Sequence, residues 1–441
     1  MKKFLHDWLT PTGILALFFL LLPWQTRYIF GLSYLSGSST QFGILSLHAT
    51  QVLLLVGLLV IYCWRGFPVV DARYQRSLSL GAAIMLVAVI SSLLARQSIP
   101  ALAAMIDLAG AGIAFIALLD KRVNLKVVMS AFVLGLIIPI GLGLAQVILG
   151  SSGASTLLGL AGRDAQALGD AVIMLGDERV LRAYGSFPHP NIFGGYLAAG
   201  VLSILASRDH FAKWLGGHGT AVSLALCSVL GLGLVLTASR SAWLGLLLGG
   251  ALTMLAQRWP WRWTRAGQSP APTAMAIALG AVGLALGLTI FAPALVAGLR
   301  GGGAIEERSL SERADQYREW PNTMSGSTWL VGNGPRSYVF TLADVHPDRG
   351  VWEYQPIHNI PLLLLSELGL IGFLLIFCWV VTLDRQNFAR FPNRDAAYAH
   401  GLGKVLFVII FFDHYLWSSW AGLVLVAYVA ALMLRMGEEK M

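Results

Sequence analysis

Apolar residues run along this chain in long blocks, and the short stretches between them gather most of the charge. A helix needs about 20 mostly apolar residues to cross a bilayer. The pattern therefore predicts about twelve spans, at roughly 13–31, 41–63, 78–95, 99–119, 126–149, 191–206, 219–237, 241–256, 273–299, 358–381, 401–416 and 418–435. Very short connections join 219–237 to 241–256 and 401–416 to 418–435. Met1, Lys2 and Lys3 ahead of an apolar run imitate a secretory signal. The run continues to Arg27 without a small-residue cleavage site, so it reads as a retained helix.

Composition agrees with an all-α polytopic membrane protein. Of the 441 residues, 56% are apolar and 12% charged, against about 25% charged in soluble domains. Mean hydropathy is +0.69. Disorder, coiled coils and soluble enzymes are excluded together. A net charge of +8 suggests a nucleic-acid partner until the charges are placed. With the N-terminus inside, the inner segments carry eighteen basic residues: Lys2, Lys3, Arg65, Arg73, Arg76, Lys121, Arg122, Lys126, Arg208, Lys213, Arg258, Arg262, Arg265, Arg385, Arg390, Arg394, Arg435 and Lys440. The short outer connections hold Arg27, Arg96 and Arg240. This asymmetry puts both termini in the cytoplasm. The basic charge is a belt against membrane lipids, with no nucleic-acid role. Cys63, Cys227 and Cys378 lie in apolar runs and match neither zinc nor redox spacing. The organisation divides into a five-helix part (1–150), a motif-bearing core (151–381) with outer loops 150–190 and 300–357, and a two-helix end (382–441).

The outer loops concentrate the candidate chemistry. Residues 300–357 contain Arg300, Arg308, Arg313, Arg318, Arg336 and Arg349 and no lysine. Arginine's planar fork matches phosphate bidentately and keeps its charge, although nearby Glu306, Glu307, Glu312, Asp315 and Glu319 offer ordinary surface pairing. Three stretches point to a site. Arg182 precedes Gly185-Ser-Phe-Pro-His-Pro-Asn191, where two prolines block a helix before Asn191 caps the next span. Capping accounts for Pro190 and Asn191, but not for Arg182 or His189. Arg240 sits between two apolar runs, where it either faces a polar cavity or snorkels to headgroups. His358-Asn359 stands at the mouth of a span, where a histidine can accept a proton at working pH. Glu367, roughly 13 Å further along that helix, reads as structural support. Asp107 lies mid-span with no evident partner. Asp413-His414 sits at an outer turn on the side of the arginines.

The ordered set resembles the O-antigen ligase and polymerase superfamily. The resemblance rests on Arg182 with Gly185-Ser-Phe-Pro-His-Pro-Asn191, on Leu236-Thr-Ala-Ser-Arg240, on Ser311-Glu-Arg313 with Gly332-Asn-Gly-Pro335, and on His358-Asn359 leading to Ser366-Glu-Leu-Gly369. It covers about residues 180–381. It implies a helical (GT-C-like) glycosyltransferase architecture in the bacterial inner membrane, with an active site facing outward. It further implies an undecaprenyl-diphosphate-linked glycan donor, a lipid- or glycan-linked acceptor, and an inverting reaction with no cofactor or metal. By position, His358 matches the family's proposed base. Arg182, Arg240 and Arg313 match donor-binding arginines, and His189, Asn191, Asn359 and Glu367 stand as supports. Tyr317 occupies a place where the family often has tryptophan.

Ligase and polymerase share these motifs. A secondary transporter is the rival from another class, because many helices with both ends inside are common there. Transporters usually carry internal repeats and a midplane site. The two halves of this chain show no repeat, and its polar cluster lies at one edge.

Overall fold

The computed structural model describes residues 10–176, 178–258, 304–391 and 393–437. The expected span 273–299 lies outside the described residues. So do Lys2, Lys3, Asp177, Arg262, Arg265, Arg300 and Lys440, and the side chains of Arg258 and Arg308.

The described chain is predominantly helical. Six helical segments are long and apolar enough to cross a membrane: Ala72–Leu94, Ser98–Leu118, Leu125–Leu149, Pro190–Phe211, Gly219–Leu236 and Ile360–Phe388. They coincide with six of the twelve expected spans. Helices Pro11–Leu21, Ala49–Arg65 and Trp420–Arg435 are apolar but shorter.

In chain order the elements are α1 (Pro11–Leu21), β1 (Arg27–Leu35), β2 (Ser38–His48), α2 (Ala49–Arg65), α3 (Gln75–Leu94), α4 (Ser98–Leu118), α5 (Leu125–Gly135) and α6 (Ile137–Leu149). Short strand pairs follow: β3 (Ser151–Ser152) with β4 (Arg163–Asp164), and β5 (Val172–Leu175) with β6 (Glu178–Leu181). Then come α7 (Pro190–Leu215), α8 (Gly219–Leu236), α9 (Arg240–Arg258), α10 (Ala304–Glu319), α11 (Tyr338–Val345), α12 (Ile360–Phe388), α13 (Arg394–Ile409) and α14 (Trp420–Arg435).

The first two expected spans are revised. Residues 27–48, assigned to the spans at 13–31 and 41–63 and their connection, form an antiparallel hairpin. Pro23 follows the end of α1, and Ser36-Gly37 turn the chain with φ of 49° and 76°, the two left-handed residues that a tight hairpin turn requires. Tyr28, Phe30, Leu32 and Tyr34 alternate on the exposed face, while Ser33 and Leu35 are buried. That period of two was hidden because a count of apolar residues includes aromatic ones whichever face they occupy.

Burial ranks the helices. The span of α7 is 89% buried, whereas that of α3 is 17% buried, so α7 is central and α3 presents its surface outward. Phe132 packs on Tyr196 of α7, with Tyr428 and Phe19 behind it. Two of the buried tyrosine hydroxyls bond across helices: Tyr196 donates to the carbonyl of Ala421 at 2.7 Å, and Tyr428 meets Ser203 Oγ at 2.8 Å. Glycines allow the closest approaches. A Cβ on Gly194 would lie 2.7 Å from Ser239 Cβ, and one on Gly195 would strike the Tyr415 hydroxyl.

Basic residues close one end of the bundle. Arg435 donates to the carbonyls of Leu118 and Val123 at the end of α4. Arg122 donates to those of Arg65, Gly66 and Phe67 beyond α2. Lys126 pairs with Asp395 and Arg394 with Asp209. Cations at helix C-termini satisfy carbonyls that lack intrahelical partners and oppose the helix dipole. The motif residues gather at the other end.

Candidate functional site

The first arm of the site is a turn held from below. Gln146 of α6 accepts the backbone N–H groups of Tyr184 and Gly185 at 3.0 and 2.9 Å, and donates to the Gly185 carbonyl at 2.9 Å. Gly185 has φ of 57°, and a Cβ there would sit 2.9 Å from the Phe193 ring. This buried turn aims Arg182. Its Nε donates to the Thr237 carbonyl at 2.7 Å, and a terminal nitrogen donates to Asn191 Oδ1 at 2.6 Å. Thr237 ends α8. Ala238 follows in the left-handed region with φ of 50°, and Arg240 opens α9, exposed, three residues on. Arg182 and Arg240 therefore share one turn.

Asn191 passes the connection on. Its Nδ2 donates to Asp413 Oδ2 at 2.6 Å, and its backbone N–H donates to His189 Nδ1. Contrary to the sequence expectation, His189 and not Asn191 caps α7, which leaves the Asn191 side chain to join Arg182 to Asp413. Asp413 is buried at 4% exposure and accepts the backbone N–H of His414 at 2.8 Å. The His414 ring lies edge-on to His358, with centroids 5.2 Å apart. Gln316 Oε1 of α10 accepts the backbone N–H of His358 at 3.2 Å and meets ring Nδ1 at 3.2 Å. Asn359 caps α12 through Leu362 N–H and donates to the Tyr317 hydroxyl at 3.4 Å. Arg313, on the same helix, acts electrostatically on His358. A continuous chain of contacts thus runs from Arg182 through Asn191, Asp413, His414 and His358 to α10.

Electrostatics fix the state of the histidine. Burial pushes His358 down to about 4; His414 and Arg313 act in the same direction, against Asp413 and Glu312. At neutral pH its imidazole is uncharged and carries a free lone pair.

Glu367 does not join this cluster. It is buried and accepts the Trp417 indole N–H at 2.7 Å. Just beyond it, α12 breaks at Gly369, with φ of 66° and ψ of −174°. The freed carbonyls of Ser366 and Glu367 accept the N–H groups of Asn333 and Gly334 at 2.9 and 3.0 Å. Gly332-Asn-Gly-Pro335 is therefore the piece that docks the loop between α10 and α11 onto the broken helix.

Residues 224–377 match the family model described as O-antigen ligase. That match supports the O-antigen ligase and polymerase superfamily for this part of the chain. A search of curated proteins finds no match. The matched segment contains Arg240, Arg313, His358, Asn359 and Glu367; Arg182, His189, Asn191 and Asp413 lie outside it, Arg182 bonding Thr237 within it and Asn191 linking Arg182 to His189 and Asp413.

Several residues that shape this cluster were not legible as such. Asp413-His414 was placed on the right side without a role; an acidic-basic pair in a tight turn after a span was the available signal. Gln316 gave none, because a glutamine in a charged helix resembles any surface residue. Asp107 finds its partners in space: Gln51 Nε2 donates to it at 2.6 Å, and Arg336 forms a buried ion pair with it. Among the arginines of residues 304–357, Arg318 pairs with Asp315 and Arg349 with Glu319, so part of that charge is ordinary pairing.

Proposed function

We propose that the protein transfers a glycan from an undecaprenyl-diphosphate-linked donor to an acceptor hydroxyl at the outer face of the bacterial inner membrane, as a ligase. The reading includes twelve spans, both termini in the cytoplasm and the site facing outward. The observation that carries it is the contact chain joining Arg182 to His358 at one end of the bundle. The family match over residues 224–377 supports lipid-linked glycan substrates in general. A polymerase using the same residues differs only in its acceptor.

The chemistry follows from the groups present. The acceptor oxygen attacks the anomeric carbon from the side opposite the diphosphate, so configuration inverts. The bond to the leaving diphosphate breaks, and its electron pair stays on the phosphate oxygen. Arg182, Arg240 and Arg313 would stabilise that charge without a metal; removing one such group costs a factor of about 10²–10³. His358, neutral at working pH, would take the acceptor proton, worth a factor of about 10²–10⁴. The donor's lipid remains in the bilayer, which delivers its diphosphate to the bundle end where Arg240 opens α9.

The test is reconstitution with a radiolabelled lipid-diphosphate glycan and candidate acceptors. Label appearing on an acceptor supports the reading. Vesicles that accumulate a solute without any glycan transfer would replace it with the transporter.

A further inference from the structure

From the geometry around His358 we infer that Gln316 is a positioning residue that fixes the histidine's tautomer, and that Arg313, Gln316 and Tyr317 form one functional face of α10. The inference rests on the glycan-transfer reading.

Residues 313, 316 and 317 are spaced i, i+3, i+4, so a helix places them on one side. Each meets the His358-Asn359 corner. Arg313 acts on the ring electrostatically, Gln316 bonds it, and the Tyr317 hydroxyl accepts from Asn359. The assignment of the amide follows from the backbone. Gln316 Oε1 receives the main-chain N–H of His358 at 3.2 Å, so the atom facing Nδ1 is the oxygen, an acceptor. An acceptor 3.2 Å from Nδ1 requires Nδ1 to carry the proton. In a neutral imidazole the lone pair then lies on Nε2.

This is the arrangement a general base needs. One ring nitrogen is held by an acceptor, and the other keeps the lone pair that takes the proton. When Nε2 takes the acceptor proton, the ring becomes cationic. Nδ1–H continues to donate to Gln316, and the positive charge is shared with the nearby carboxylate of Asp413. The same helix brings a phosphate-binding arginine one turn before the orienting amide. Leaving-group stabilisation and base orientation are thus coupled to a single rigid element.

The experiment compares wild type with Gln316→Leu and Gln316→Glu in full-length protein. Transfer kinetics are measured alongside the nitrogen-15 histidine spectrum, with His358 assigned by its loss in His358→Ala. Gln316→Leu lowers kcat by about ten- to a hundredfold with donor KM unchanged, because the ring loses its preferred tautomer. Gln316→Glu keeps an acceptor at Nδ1, so it recovers most of kcat and moves the acid limb of the pH profile upward. A merely structural glutamine would give neither the recovery nor the pH shift. Wild-type kcat in Gln316→Leu, or a His358 spectrum with the proton on Nε2, overturns the inference. The spectrum needs no turnover, so an Nδ1–H signal lost in Gln316→Leu upholds the inference even if no glycan is transferred, in which case only the transfer reading fails.

Discussion

His358 differs from a surface histidine chiefly in its surroundings. Burial and the neighbouring His414 and Arg313 hold it at about 4, so the free protein keeps a neutral base throughout the mildly acidic range. The sign is that of a depressed group: the neutral form is favoured on folding, its contribution is complete above the ordinary value near 6.5, and it is lost as pH falls through the folded value near 4. The acid limb of kcat/KM therefore lies well below 6.5; a midpoint at 6.5 would show an unperturbed ring. The arginines carry a separable task. Arg182→Ala and Arg240→Ala weaken binding of undecaprenyl diphosphate, measured by quenching or by equilibrium capture, whereas His358→Ala leaves that binding unchanged and removes transfer. These motif residues were legible in the sequence because an arginine or histidine between long apolar runs is conspicuous. Gln316 and Asp413 were not, since their roles exist only through partners 42 to 222 positions away.

Among the elements, the broken helix α12 is the most exposed to test. Gly369 has φ of 66°, and a Cβ there would lie 2.3 Å from the backbone of Leu330. Gly369→Ala places strain of about 1–3 kcal/mol on that joint, and thermal unfolding in detergent falls accordingly. Gly81→Ala in α3 meets nothing within 4 Å and leaves the midpoint unchanged. The Ser366-Glu-Leu-Gly369 motif was visible as letters, but its purpose was not. A glycine inside an apolar run reads as a span until the docking loop is seen. The hairpin at 27–48 escaped for a related reason: its alternation is written in aromatic and small residues that a span-length window averages away.

At the scale of the whole molecule, a buried ion pair ties α4 to the loop ahead of α11. Asp107 of α4 is 5% exposed and paired with Arg336, which itself adopts φ of 58°. Arg336→Ala leaves that carboxylate uncompensated at a cost of about 3–5 kcal/mol. Adding Asp107→Asn recovers part of the loss, and the pair of unfolding curves measures the coupling. Hydropathy alone outlined the helical bundle, because bilayer thickness dictates length. It could not show which helices are central, nor that α7 and the turn after α13 meet at Asn191 and Asp413. The account stands or falls on His358 as the group that deprotonates the acceptor. Single-turnover transfer from a radiolabelled undecaprenyl-diphosphate glycan, at saturating donor, compares His358→Ala with wild type directly. A loss of about 10²-fold or more with donor still bound is the predicted result, and transfer at the wild-type rate would contradict it.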